Sequence, residues 1–196
     1  MGYHAYGTDI SEKMVAYSEK NLKWLASIRI ANVEEHKDKI SDFVAEGAKR
    51  CDKIKLSHRE ASETCDSYTH DLFRIALGDA TTFQWAKPID AVACEGYLGQ
   101  PMSQVPSEIK LKEQQQECGS IVLGFLKNLS TQIKSGTPVV IAVPAWLRQD
   151  GTYSRLNLID NITDMGYNVN KTSRDGLIYH RENQIVARDI IILRKK

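Results

Sequence analysis

Three short segments with strand character, each running into an acidic residue, constrain the fold of this chain more than any other feature. The segments are 3–8, 72–77 and 91–94, and the acids that follow them are Asp9, Asp79 and Glu95. Short runs bounded by turn residues predict strands. Helical patterns follow the first and third segments, and such an alternation predicts an α/β fold with parallel strands.

Two helices with recognisable starts accompany these strands. Ser11 is placed to cap a helix that runs to about residue 28. Ser107 is placed to cap a second helix that we predict to run to about Ile133, with Gly136 as the left-handed residue that ends it. Between the first two strands, residues 32–67 are rich in Lys, Glu, Asp and His. Their apolar positions are too few for a core, so we predict a helical insertion there and not a separate domain.

The last third of the chain changes character. Residues 139–144 form a continuous β-branched run, which predicts a central buried strand. A loop containing Trp146 is expected next, followed by a helix over 154–165 that closes at Gly166. Two strands across a polar turn, 177–180 and 185–193, then predict an antiparallel C-terminal hairpin.

Bulk properties bound the function classes. The 196 residues suit one domain, and a net charge of +1 creates no field that demands nucleic acid or a membrane. The four cysteines form no CxxC pair, so we expect free thiols and no metal site. No apolar run approaches the roughly 20 residues of a membrane-spanning helix, and no secretory signal is visible, so we expect a cytoplasmic protein.

The recurrence of acids at strand ends points to a ligand. An acid at the carboxyl end of a parallel strand commonly accepts hydrogen bonds from ribose hydroxyls, and Asp79 could accept from an adenine amine. Each acid taken singly also fits a helix cap or a turn. At equivalent positions of three strands, Asp9, Asp79 and Glu95 together favour a ligand that contains a nucleoside.

The loop that follows the third strand is the other candidate for chemistry. Glu95-Gly96-Tyr97-Leu98-Gly99 cannot continue a strand, because its glycines permit backbone angles that other residues avoid. An ordinary connection between a strand and a helix is the alternative interpretation of this loop.

The segments Tyr6-Gly7-Thr8-Asp9-Ile10, Gly78-Asp79-Ala80-Thr81 and 90–97 resemble the class I S-adenosylmethionine-dependent methyltransferases. Within that class the chain is similar to the RNA methylases that modify the exocyclic amine of guanine in tRNA, often together with a THUMP domain. The resemblance implies a Rossmann-like, doubly wound and mostly parallel sheet that ends in the antiparallel hairpin. It covers most of the chain outside 32–67.

The resemblance also implies roles for individual residues. Asp9 would bind the ribose of S-adenosylmethionine, Ile10 would pack on its adenine, and Asp79 and Ala80 would line the adenine pocket. Glu95-Gly96-Tyr97-Leu98 would replace the family's Asp/Asn-Pro-Pro-Tyr loop, which accepts hydrogen bonds from the target amine and stacks an aromatic ring on the base. Glu95 would adjoin the cofactor as well. The implied partner is an RNA, most plausibly a tRNA.

Two departures from the family accompany the resemblance. The glycine-rich first motif does not occur in these 196 residues, which predicts a single methyltransferase domain, 1–196, that is N-terminally truncated. Gly96 stands where the family has proline, and Glu95 where it has Asp or Asn. The competing functions are a non-catalytic α/β module for nucleoside binding or assembly, and a truncated oxidoreductase that uses a dinucleotide.

Overall fold

A computed structural model describes residues 4–35, 73–170 and 176–196 of the chain. Residues 36–67 of the predicted insertion lie outside these ranges, whereas residues 32–35 form the end of a helix. The chain divides into two compact units, Met1–Asp79 and Ala80–Lys196.

The first unit contains a parallel strand pair and a long helix. Strand β1, Ala5–Asp9, lies parallel to β2, Phe73–Leu77, with Asp9 opposite Leu77. Helix α1, Glu12–Glu35, begins directly after the turn that ends β1. The predicted order of strand, acid and helix is therefore confirmed, with α1 running beyond the predicted residue 28.

The second unit is built on a six-stranded sheet. Its strands are β3 (Val92–Glu95), β4 (Pro138–Leu147), β5 (Tyr153–Ser154), β6 (Tyr167–Val169), β7 (Ile178–Tyr179) and β8 (Val186–Lys195). The order along the sheet is β3-β4-β8-β6, with β5 beside β4 and β7 beside β8. Only β3 and β4 are parallel in this sheet, and the antiparallel β7–β8 hairpin is confirmed.

The fold is α/β, with mixed sheets and helices, but a mostly parallel sheet is not confirmed. Among the described strands the pairings β1–β2 and β3–β4 are parallel, and the other four are antiparallel. Within the described ranges, no helix combines the length and the apolar composition that crossing a membrane requires.

One long helix covers the sheet of the second unit. Helix α2, Glu108–Ser130, starts at Ser107, whose hydroxyl accepts a hydrogen bond from the Lys110 N–H at 3.3 Å, as predicted for a cap. Its buried face repeats at helical spacing and packs on alternate residues of β4. The largest buried side chains of this core are Trp146, Tyr167, Leu126, Leu129 and Ile141.

Three predictions about the second unit are wrong in detail. Helix α2 ends at Ser130 and not near Ile133. Gly136 has the predicted left-handed conformation, with a φ of 85°, but it lies in the turn before β4 and donates its N–H to the Lys195 carbonyl. The helix predicted over 154–165 is confined to α3, Ile159–Asp164, because Ser154 pairs with Trp146 as strand. Trp146 accordingly lies in β4, fully buried, and not in a loop.

Candidate functional site

Asp9 closes the turn between β1 and α1. Its Oδ1 accepts a hydrogen bond from the Ser11 N–H at 2.8 Å, and the adjacent Ile10 is 74% exposed. One carboxylate oxygen of Asp9 therefore forms the turn, which is the alternative to ligand binding given above. Oδ2 of Asp9 has no hydrogen-bond partner among the described residues, so it can still accept from a ligand.

Asp79 lies just beyond the end of β2. The Gly78 N–H donates to the Asp9 carbonyl at 2.9 Å, which extends the β1–β2 ladder by one residue past Leu77. Asp9 and Asp79 therefore both follow the carboxyl end of this parallel pair, and Asp79 is exposed. The pair brings together two of the three acids that the sequence singled out.

The segment from Ala80 to Trp85 is hydrogen-bonded to the C-terminal end of α2 and to the turn that follows it. Asn128 donates through Nδ2 to the carbonyls of Ala80 and Phe83, at 3.0 and 2.8 Å. Gln132 accepts from the Trp85 N–H at 2.9 Å. This segment has no regular secondary structure, so the two amide side chains satisfy backbone groups that a strand or helix would satisfy internally.

Two glycines set the path of the loop after β3. The Gly96 N–H donates to the Ala142 carbonyl at 2.8 Å, and a Cβ at this position would lie 3.3 Å from the same oxygen. Gly99 has a left-handed φ of 84°, and a Cβ there would lie 2.6 Å from Oε1 of Gln114. Position 96 thus needs a backbone N–H and favours glycine because the Ala142 oxygen is close, whereas position 99 needs glycine for its backbone conformation and for space.

Buried Gln114 of α2 holds the far end of this loop. Its Oε1 accepts from the Gln100 N–H at 2.9 Å, and its Nε2 donates to Oε2 of Glu117 at 3.0 Å. The negative charge of Glu117 also acts on the hydroxyl of nearby Tyr97. Tyr97 is 39% exposed, so part of its side chain faces solvent.

Tyr97 has a raised pKa that reports this contact. Partial burial and the negative charge of Glu117 both raise the pKa of Tyr97 above its ordinary value. Glu117→Gln removes the charge, so we expect the pKa of Tyr97 to fall towards that value. A carbon-13 NMR titration of labelled tyrosine, with Tyr97→Phe to assign the resonance, measures the change. Glu113→Gln, on the exposed side of the same helix, is the matched control, and an unshifted Tyr97 in Glu117→Gln would contradict the contact.

Glu95 is held by an arginine from the opposite end of the sequence. Nε of Arg188 in β8 donates to Oε1 of Glu95 at 2.8 Å, and the side chains are 26% and 49% exposed. Arg188 is held in turn by Gln184, whose Oε1 accepts from Nη1 at 3.2 Å. Among the described residues Oε2 of Glu95 has no partner, so the carboxylate is anchored through one oxygen and open at the other.

Cys94 and Cys118 lie beside the loop, but their thiols are not nucleophilic at neutral pH. Burial raises the pKa of the Cys94 thiol to about 11, and burial together with the charge of Glu117 raises that of Cys118 to about 11. At neutral pH both thiols are protonated and behave as small apolar groups. In the part of the chain that the structure describes, no three His, Cys, Asp or Glu side chains are grouped to hold a metal ion.

A polar cavity of about 220 Å³ lies at the carboxyl end of β4. Its walls include the loop before α2 and residues 147–150. Two of the lining side chains, Arg148 and Glu108, form an ion pair at 3.2 Å. Asp150 is occupied by the Thr152 N–H and hydroxyl, at 2.9 and 2.6 Å. The lining charges thus have protein partners.

The structure gathers the predicted residues in two groups. Glu95, Gly96, Tyr97 and Leu98 form one fastened loop in the second unit, which also contains Ala80, whereas Asp9, Ile10 and Asp79 lie at the strand ends of the first. The residues that hold the loop were not found from the sequence: Gln114, Glu117 and Arg188. Gln114 did leave a signal, because it interrupts the apolar stripe of α2.

Comparisons with solved structures give distant likenesses to methyltransferases. The crystal structure of TrmN from Thermus thermophilus is similar to 70% of this chain, with 13% identity and a TM-score of 0.40. Magnesium protoporphyrin IX methyltransferase from Synechocystis PCC 6803, with bound S-adenosyl-L-homocysteine, is similar over 98%, with 14% identity and a TM-score of 0.44. The N-methyltransferase NodS from Bradyrhizobium japonicum WM9, also with S-adenosyl-L-homocysteine, is similar over 72%, with 10% identity and a TM-score of 0.38.

The chain spans 32% of the TrmN chain and 64% of each of the other two. No protein-family model matches the chain, and no curated protein sequence matches it. At these identities and TM-scores the likenesses assign neither a family nor an activity.

Proposed function

We propose that this protein transfers a methyl group from S-adenosylmethionine to an exocyclic base amine of RNA, with guanine in tRNA as the target. The observation that carries the proposal is the loop 95–98, which presents an anchored carboxylate and, two residues later, a partly exposed tyrosine. An acceptor for an N–H next to an aromatic ring is the set of groups that binds a planar base through its amine.

The loop residues divide the work on the target. Oε2 of Glu95 accepts a hydrogen bond from the amine and so fixes the direction of its nitrogen. The partly exposed Tyr97 ring stacks on the base. Holding a weak nucleophile in one orientation supplies much of the acceleration of such a transfer.

The residues of the first unit fit the nucleoside part of the cofactor. Oδ2 of Asp9, which has no partner among the described residues, suits a ribose hydroxyl, and Ile10 beside it, 74% exposed, suits an adenine face. The resemblance assigns Asp79, Ala80 and Glu95 to cofactor binding as well. When bound, S-adenosylmethionine supplies a methyl group made electrophilic by its sulfonium sulfur.

The proposed domain needs a further strand and a glycine-rich loop for the methionine part of the cofactor. No such loop occurs among the 196 residues. Strand β3 pairs with β4 on one side, and no described strand pairs with its other side. We propose that residues 1–196 belong to one methyltransferase domain.

Calorimetric titration of S-adenosylhomocysteine into the full-length gene product tests the cofactor site. We expect saturable binding that Asp9→Ala or Asp79→Ala weakens about tenfold or more, since each removes a hydrogen bond to a charged acceptor. Tritium transfer to unmodified tRNA tests the loop, and Glu95→Ala or Tyr97→Ala should lower turnover with cofactor affinity retained. An absence of cofactor binding would end the proposal. Binding without transfer to any RNA would favour the non-catalytic nucleoside-binding module.

A further inference from the structure

The charge of the Glu95 site is set by a partner on another strand. A glutamate 49% exposed, with no counter-charge, attracts any cation. Here the Arg188 guanidinium lies 2.8 Å from Oε1, so the pair carries no net charge. The group that meets an incoming amine is thus an acceptor oxygen inside a neutral ion pair.

Amines differ in charge at neutral pH according to what bears them. An aliphatic amine is an ammonium, which has no lone pair with which to attack an electrophile, and a bare carboxylate would favour that unreactive form. An amine on an aromatic ring is neutral, because its lone pair is delocalised into the ring. It needs an acceptor oxygen to orient it and gains nothing from a negative field.

We propose that Arg188 is a specificity-determining residue, which by neutralising Glu95 selects neutral aromatic amines and disfavours ammonium groups as acceptors. This inference rests on the proposed function, since it treats Glu95 as the residue that receives the acceptor amine. It goes beyond that function by naming the side chain that selects this class of acceptor and the class that it disfavours.

The position of Arg188 makes the neutralisation a fixed property of the site. Arg188 lies in β8 opposite Pro144 of β4, and Tyr179 of β7 pairs with it on the other side. Its Nη1 is held by Gln184 at 3.2 Å, which steadies the guanidinium at the turn end of the hairpin. A residue paired on both sides by strands and held at its head group keeps the charge at Glu95.

Two probes of similar shape distinguish the effect of the probe's charge from the effect of its stacking on Tyr97. Aniline is neutral and benzylammonium is a cation, and either ring can stack on Tyr97. Their affinities for the full chain are measured from the backbone amide NMR shifts of residues 95–99. In Arg188→Gln we expect the affinity for benzylammonium, relative to aniline, to rise about twofold to fivefold, the size typical of a partly exposed ion pair.

Three further variants isolate the cause. Arg188→Lys keeps the charge and should retain most of the wild-type ratio. Arg194→Gln removes the same charge from the same strand, where the side chain donates to the Gly136 carbonyl, and should leave the ratio unchanged. Adding Glu95→Gln to Arg188→Gln should cancel the gain in cation affinity, because the carboxylate that attracts the cation is gone.

The outcomes that overturn the inference are distinct from those that overturn methyl transfer. An unchanged ratio in folded Arg188→Gln, an equal rise in Arg194→Gln, or no shift of amides 95–99 with either probe would each overturn it. If the protein fails to bind S-adenosylhomocysteine while Arg188→Gln still raises the ratio, the methyltransferase proposal fails and the charge selection stands.

Discussion

Replacing Arg155 with Ala is expected to lower the free energy of unfolding of the second unit by about 3–5 kcal/mol, because it leaves a buried carboxylate without its partner. Asp189 is 1% exposed, and both of its oxygens accept from Arg155, at 2.6 Å from Nε and 3.2 Å from Nη2. Thermal unfolding followed by circular dichroism should show a midpoint about 6–20 °C lower.

An exposed ion pair on the same unit is the matched control. Arg148 and Glu108 are 3.2 Å apart but 43% and 69% exposed, so Arg148→Ala should change stability by no more than about 1 kcal/mol. Replacing Arg155 and Asp189 together by Met and Leu should recover much of the lost stability, because the destabilisation comes from the unpaired buried charge of Asp189. Equal effects of Arg155→Ala and Arg148→Ala would contradict this account of Asp189.

Asp189 also shows what the sequence could have revealed about the fold. Alternate residues of β8, from Ala187 to Leu193, are buried, and Asp189 occupies one of these positions. A charged residue on the apolar face of a strand predicts a buried partner of opposite charge. Its identity could not be predicted, because Arg155 lies in a segment where the helical pattern was misleading.

The misleading pattern at 154–165 has a physical origin. Leu158 and Ile162 are four residues apart, as on one face of a helix, and both are buried. However, Ser154 pairs with β4 and accepts a hydrogen bond through its hydroxyl from Gln115 of α2 at 3.1 Å. Tertiary contacts that are distant in sequence decide this segment, so only its last turn and the left-handed Gly166 were predictable.

Local patterns were sufficient for the strands and for the position of the loop, and insufficient for its anchors. Glu95 and Tyr97 follow an apolar run, with Gly96 between them and Gly99 two residues after Tyr97, which is a short-range signal. Arg188 is 93 residues from Glu95. No local pattern specifies such a contact, and it depends on the order in which β3, β4 and β8 pair.

Gly96→Pro, which installs the residue of the resembled methylase family, is expected to destabilise this protein by about 2–4 kcal/mol. Proline has no N–H, so the hydrogen bond to the Ala142 carbonyl is lost and that oxygen loses a partner. Its ring would also add atoms where a single Cβ already lies 3.3 Å from the same oxygen. Chemical denaturation of the variant measures the loss.

Gly96→Ala is the control that separates the missing N–H from the added bulk. It keeps the hydrogen bond and places one carbon at ordinary distance from Ile141 and Val122 but close to the Ala142 oxygen, so it should cost about 1 kcal/mol. If proline were tolerated as well as alanine, the N–H of residue 96 would have no role. If proline alone is costly, the departure from the family's proline follows from the backbone: here the loop is pinned to β4 by a donor that proline cannot supply.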